Sequence, residues 1–128
     1  MDEAYSDLVA AAEEAMKNSY SPYSEIRVGA AIMTKDGHVF TGCNIENASY
    51  GLTMCAERVA LFKAVSEGFR EFKALAIVSD AVTPTPCGAC RQVLSEFSPD
   101  MDVIYGGRSH KLKELLPDAF RVGDQLDS

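Results

Sequence analysis

Two short stretches far apart in the chain, Cys55-Ala56-Glu57-Arg58 and Pro86-Cys87-Gly88-Ala89-Cys90, constrain the fold more than any other feature. A lone cysteine and a C-x-x-C pair can give three thiolates to one zinc ion only if the fold brings both stretches together. A carboxylate two residues after the first cysteine can then stand beside the metal without binding it. Structural zinc sites normally have all four positions filled by protein, whereas three protein ligands leave a place for water, which the metal acidifies toward neutral pH. The pattern therefore points to a catalytic centre with Zn2+ as cofactor, Cys55, Cys87 and Cys90 as metal ligands and Glu57 as the base. Three cysteines buried as small apolar residues would be the ordinary alternative. The proline before the C-x-x-C and the helix start at Cys-x-Glu argue against it.

The rest of the chain supplies a frame for such a site. Residues 2–18 carry Leu8, Val9, Ala12, Ala15 and Met16 at helical spacing, with Asp2 as a cap, which predicts a surface helix covering a sheet. Ser19-Tyr20-Ser21-Pro22-Tyr23-Ser24 reads as a loop. Residues 27–34 and 39–45 read as two antiparallel strands around a Lys35-Asp36-Gly37 turn. Asn44 and Glu46 stand two apart at the end of the second strand, so their side chains share a face and can converge on one group, such as a sugar hydroxyl. A solvated strand end with a turn-forming Asn is the other reading of that pair.

Residues 55–67 predict a helix with Cys55 in its first turn, Val59, Leu61, Phe62 and Val65 toward the core, and Gly68 as the stop. Backbone N–H groups at a helix start favour the thiolate that metal binding needs. Residues 72–79 predict a buried strand, 84–86 a loop, and 88–97 a helix opening at Pro86-Cys87, so two helix starts face one metal. Residues 101–105 and 109–112 predict two further strands, and Leu115-Leu116-Pro117-Asp118-Ala119-Phe120 closes the domain. The order predicts an α/β fold, a three-layer α/β/α sandwich with a mixed sheet of about five strands, in a single domain over residues 1–128. His38 and His110 are expected to be exposed loop-end residues, and Cys43 a small apolar one.

Composition narrows the function. Nineteen acidic against twelve basic residues give a net charge of -7, which offers no basic stripe for nucleic acid and suits a small neutral ligand. No apolar run is long enough to span a bilayer, and Asp2 and Glu3 stand where a secretory leader would be positive, so no membrane association and a cytoplasmic location are expected. Four cysteines in a reducing compartment suggest metal or redox chemistry before disulfides.

Cys-x-Glu followed by Pro-Cys-x-x-Cys is a general signature of zinc nucleobase deaminases. With Gly42-Cys43-Asn44-Ile45-Glu46-Asn47-Ala48-Ser49-Tyr50 and Arg91-Gln92 added, residues 21–120 closely resemble the homotetrameric zinc-dependent cytidine deaminases of nucleoside salvage. The resemblance implies hydrolysis of cytidine and 2'-deoxycytidine to the uridines and ammonia, in pyrimidine salvage. Water attacks C4 of the ring while Glu57 carries its proton to N3 and later to the departing nitrogen. It further implies that Asn44 and Glu46 bind the ribose 3'-hydroxyl, that the Ala56 N–H meets the pyrimidine O2, and that the Thr85 carbonyl accepts from the 4-amino group. Tyr50 and Phe120 are implied to reach a neighbouring subunit's pocket in a homotetramer with shared active sites. Three thiolates leave the centre with excess negative charge; Arg58 is the nearest compensating group by sequence, and the resemblance gives the matching Arg hydrogen bonds to ligand sulfurs. One position departs from the family, which commonly has Phe where this chain has Ile26, an apolar residue that cannot stack on a base or ribose.

Four other readings compete. A deaminase of a modified or related pyrimidine nucleoside would share every feature above. A closed structural zinc site of four cysteines, an interaction module that recruits Cys43, lacks short knuckle spacing, since twelve positions separate Cys43 from Cys55. A thioredoxin-like redox pair would normally come early in the chain beside a Trp, and this chain has none. A polynucleotide deaminase would need a basic groove.

Overall fold

The computed structural model describes residues 3–120. Helix α1 (Glu3–Met16) leads to an antiparallel hairpin of β1 (Val28–Thr34) and β2 (Val39–Cys43). A 3-10 turn (Tyr50–Leu52) precedes α2 (Ala56–Ser66), followed by β3 (Phe72–Ser79), α3 (Gly88–Phe97), β4 (Asp102–Tyr105), β5 (Arg108–Lys111) and a short α4 (Leu112–Leu115). The sheet has five strands in the order β2-β1-β3-β4-β5. Only the β3 and β4 pair is parallel, joined through α3, so the sheet is mixed as expected. Asp2, expected as the cap of α1, lies outside the described residues.

Central strands β1 and β3 are buried on both faces, which is why their sequences read as continuous small and branched apolar runs without alternation. One face of the sheet presents Ala31, Ala74, Ala76 and Ile104 to Leu8 and Ala12 of α1. The other presents Ala30, Ile32, Leu75 and Val103 to Ala60 and Leu61 of α2 and Leu94 of α3. These are the three layers of the sandwich.

Two glycines set how closely the helices approach. A Cβ on Gly29 would stand 2.0 Å from the Ala12 carbonyl oxygen, and one on Gly42 would stand 2.6 Å from both the Ala56 carbonyl oxygen and the Ala60 nitrogen. Backbone of α1 and α2 thus rests directly on the hairpin from opposite sides. In the β4 to β5 connection, Gly106 and Gly107 have φ of 61° and 74°, the pair of left-handed residues that a tight hairpin turn requires.

Four local expectations are corrected. Phe62, expected toward the core, faces outward on α2 and is 44% exposed, because Ala60, Leu61 and Ala64 form the buried side of that helix. Strand β2 ends at Cys43: Asn44 still donates its N–H to the Val28 carbonyl of β1, but Ile45 then bridges Tyr20 and Met54, which draws the chain away from β1. The last strand starts one residue earlier than expected, and Leu112 opens α4, its N–H held by the Met101 carbonyl and its side chain buried. Cys55 is the N-cap of α2, not a member of its first turn. No helix among the described residues is long and apolar enough to cross a membrane.

Candidate active site

The local structure at each helix start follows from a cysteine at the cap. Cys55 (φ -74°, ψ 149°) and Cys87 (φ -67°, ψ 166°) are both extended cap residues, so their side chains lie beside the free N–H groups of α2 and α3. The Cys87 sulfur accepts from the Cys90 N–H at 3.3 Å, as a capping oxygen would. Cys90, one turn into α3, is fully buried. The sulfurs of Cys55, Cys87 and Cys90 all lie within 4.8 Å of one another. Thiolates at about 2.3 Å from a tetrahedral zinc lie roughly 3.8 Å apart, so the three donors fit that ion with modest adjustment.

The electrostatics support the same fit. The Cys55 thiol is lowered to about 5 by a hydrogen bond from Cys90, and the Arg58 guanidinium beside it acts in the same direction. Cys90 is pushed far up by that same contact, by burial and by the Glu57 charge. Crowded sulfurs settle the negative charge on one atom unless a cation stands among them. Arg58 donates from Nη2 to the Cys55 sulfur at 3.5 Å, while its Nε is buried without a hydrogen-bond partner among the described residues. That orphaned donor points to an acceptor that is richer in charge once all three sulfurs are ionised.

Glu57 follows Cys55 by two residues and is 5% exposed. Burial pushes its carboxyl up, and the Cys55 charge adds to that. It lines a cleft of about 340 Å3 together with Asn44, Cys55, Ala56, Thr85 and Cys87. Val28, Ile77, Val82 and Thr83 form further wall that sequence reasoning did not assign. For these, periodicity signals burial or a loop and says nothing of the cavity they face.

Other expected residues fall elsewhere. Asn44 reaches the cleft, but its amide also holds the preceding loop: Oδ1 accepts from the Val28 N–H at 2.9 Å and from the Ser19 hydroxyl, and Nδ2 donates to the Ile26 carbonyl at 2.8 Å. Glu46 does not line the cleft; its carboxylate accepts from the N–H groups of Tyr23 and Ser24 and from the Ser24 hydroxyl. The amide and the carboxylate thus both hold one loop of the protein itself, at different residues of it. Ile26 is half-buried in that loop and outside the cleft lining. Tyr50, 88% exposed, and Phe120, 60% exposed, also stand outside it.

Arg91 and Gln92, quoted in the motif without an assigned role, fasten the surroundings. Arg91 donates to the carbonyls of Pro86 and Leu115 at 2.8 Å each, and Gln92 pairs with both the N–H and the carbonyl of Phe120. Cys43 stays apart from the sulfur cluster on β2, half-buried, which leaves a four-cysteine site without its fourth member. His38 is exposed at the hairpin turn as expected, whereas His110, expected exposed at a loop end, lies within β5, partly buried, and stacks on Tyr105 with ring centroids 4.1 Å apart.

Residues 2–107 match the family described as "Cytidine and deoxycytidylate deaminase zinc-binding region". A cytidine deaminase of Halalkalibacterium halodurans is 50% identical over 127 residues, covering 94% of this chain and 96% of the relative. The crystal structure of cytidine deaminase from Burkholderia pseudomallei superposes with a TM-score of 0.86 at 48% identity, over 94% of this chain and 100% of that one. That of Mycobacterium tuberculosis gives 0.87 at 43% identity, over 94% and 99%. A match of this extent, over a chain whose buried carboxylate stands next to three clustered sulfurs, leaves one conclusion: the chain belongs to the cytidine deaminase family.

Proposed function

We propose that the protein hydrolyses cytidine and 2'-deoxycytidine to uridine and 2'-deoxyuridine, releasing ammonia, as a single-domain cytoplasmic enzyme of pyrimidine nucleoside salvage. The observation that carries this reading is the buried Glu57, two residues after the capping Cys55, within a cleft of nucleoside size. Cys55, Cys87 and Cys90 hold zinc. When bound, zinc supplies the Lewis acidity that makes water a competent nucleophile near neutral pH.

The remaining steps belong to the chain. Glu57, with its carboxyl raised by burial, accepts the proton of the attacking water and delivers it to N3 as C4 becomes tetrahedral. It then carries the second proton to the departing nitrogen, so one carboxylate serves as base and acid. The Ala56 N–H, free at the start of α2, donates to the pyrimidine O2. The Thr85 carbonyl accepts from the 4-amino group, which favours cytosine over uracil at the same place. Asn44 and Glu46 take the ribose 3'-hydroxyl, a group common to both nucleosides. Ile26 contributes apolar surface without stacking. Arg58 offsets the charge of the three thiolates.

Tyr50 and Phe120 act in a neighbouring copy's pocket within a homotetramer. Their exposure supports this, since large aromatic side chains so open to water gain most by packing on a partner. The direct test is to purify the protein, measure its zinc, and follow cytidine by ultraviolet absorbance. Rapid conversion to uridine is expected. Bound zinc with no turnover of cytidine or deoxycytidine would overturn the assignment and direct attention to modified pyrimidine nucleosides.

A further inference from the structure

The Glu46 carboxylate is gripped by a loop of the protein itself. Oε1 accepts from the N–H of Tyr23 at 3.0 Å and of Ser24 at 3.1 Å, and Oε2 accepts from the Ser24 hydroxyl. The Ser24 oxygen in turn accepts from the Ile26 N–H at 3.1 Å, so its proton is committed to Glu46 and its lone pair is engaged from behind. This chain reversal passes through Glu25 at φ 60°, a left-handed conformation that a residue with a side chain adopts only when its surroundings impose it. Asn44 holds the far end of the same loop through Ile26 and Val28. A carboxylate offers about four acceptor positions. Three are filled, which leaves one for a single further donor such as a hydroxyl.

We propose that Ser24 is a positioning residue: it orients the Glu46 carboxylate so that its remaining acceptor position receives the substrate's 3'-hydroxyl, and Ser24 thereby sets discrimination between nucleosides that carry that group and those that lack it. The inference rests on the ribose reading of Glu46 given above. A carboxylate fixed before binding loses less freedom when the hydroxyl arrives, and the gain appears in substrate affinity with little change in the chemical step.

The test compares cytidine with 3'-deoxycytidine in the zinc-loaded wild type, Ser24→Ala and Ser24→Thr, with zinc content and thermal midpoint recorded for each. Ser24→Ala is expected to raise KM for cytidine roughly tenfold, the worth of one charge-assisted hydrogen bond, with kcat within about twofold. KM for 3'-deoxycytidine should not move, and Ser24→Thr, which keeps the hydroxyl, should restore discrimination. An equal rise for both substrates would overturn the inference, since it would mean that Ser24 only maintains the loop. Undiminished discrimination in Ser24→Ala would also overturn it. A wild type that treats both nucleosides alike would instead remove the ribose reading of Glu46. If Ser24→Ala does not fold, Ser24→Cys, with a weak donor of similar size, gives the same comparison.

Discussion

The proposed mechanism gives Glu57 two jobs that oppose each other electrostatically: to stay buried beside ionised sulfur and to exchange protons near neutral pH. Burial raises its carboxyl, which makes it a stronger base than an exposed glutamate and a usable acid afterwards. Glu57→Gln keeps size and the helix start but removes proton transfer. We expect kcat to fall by about 10² to 10⁴ with zinc content unchanged; metal analysis alongside the absorbance assay separates the two quantities. Wild-type turnover with zinc bound would end the proposed mechanism. Arg58 would support the metal differently, through its hydrogen bond to the Cys55 sulfur and through an Nε without a partner among the described residues. Arg58→Ala should weaken zinc retention about 10- to 100-fold in a chelator competition, the usual scale for losing a group that orients metal ligands. Unchanged retention together with full activity would show that the helix starts alone balance the charge.

At the scale of elements, the site depends on how firmly α2 sits on the hairpin. Gly42 permits that contact, and a Cβ there would meet backbone atoms of α2 at 2.6 Å, which no side-chain rearrangement relieves. Gly42→Ala should therefore displace the helix that carries Cys55 and Glu57, lowering stability by about 1–3 kcal/mol and reducing zinc per folded chain. Gly29→Ala is the control, because its Cβ would strike α1, which holds no site residue. It should lower the thermal midpoint at least as much, while the fraction that folds keeps its full zinc. Equal zinc loss in both would mean that α1 also supports the site. A second fastening joins α1 to the sheet: Asp102 on β4 accepts from Tyr5 on α1 and from Lys111 on β5. Burial pushes its carboxyl up, but those two partners outweigh burial and hold it below the ordinary Asp range. A depressed carboxyl contributes stability that is complete above the unfolded pKa and is lost as pH falls through the folded one. Asp102→Asn should lower stability at pH 7 by about 0.5–1 kcal/mol, discounted for partial exposure, and the difference from wild type should close in thermal melts as pH falls below the ordinary Asp range.

For the whole molecule, what the sequence reveals depends on whether chemistry or context fixes the arrangement. The three-sulfur cluster is legible because only certain residue types ligate zinc, and helix starts fix where they point. Strands β1 and β3 are legible through their continuous apolar runs, whereas α4, four residues long, is too short to show a period. The grip of Glu46 on residues 23 and 24 is not legible, since it depends on a left-handed turn at Glu25 that no pattern specifies. Tyr50 and Phe120 pose the same question at a larger scale: a single copy places both outside its own cleft, so a role in the pocket would have to come from a neighbouring copy. Two variants separate a shared pocket from a self-contained one. Glu57→Gln lacks the proton carrier but keeps Phe120; Phe120→Ala keeps Glu57 but lacks the aromatic ring. If Phe120 serves a neighbouring copy, oligomers that contain both variants include pockets with an intact Glu57 from one subunit and an intact Phe120 from the other. Co-expressed variants should then recover up to about a quarter of wild-type activity by random mixing in a shared pair, well above the sum of the two assayed apart. If each chain uses its own Phe120, no mixture contains a complete pocket and no activity above that sum can appear. Size-exclusion chromatography of the mixed sample ties either result to the oligomer, so a failure to assemble cannot pass for a self-contained site.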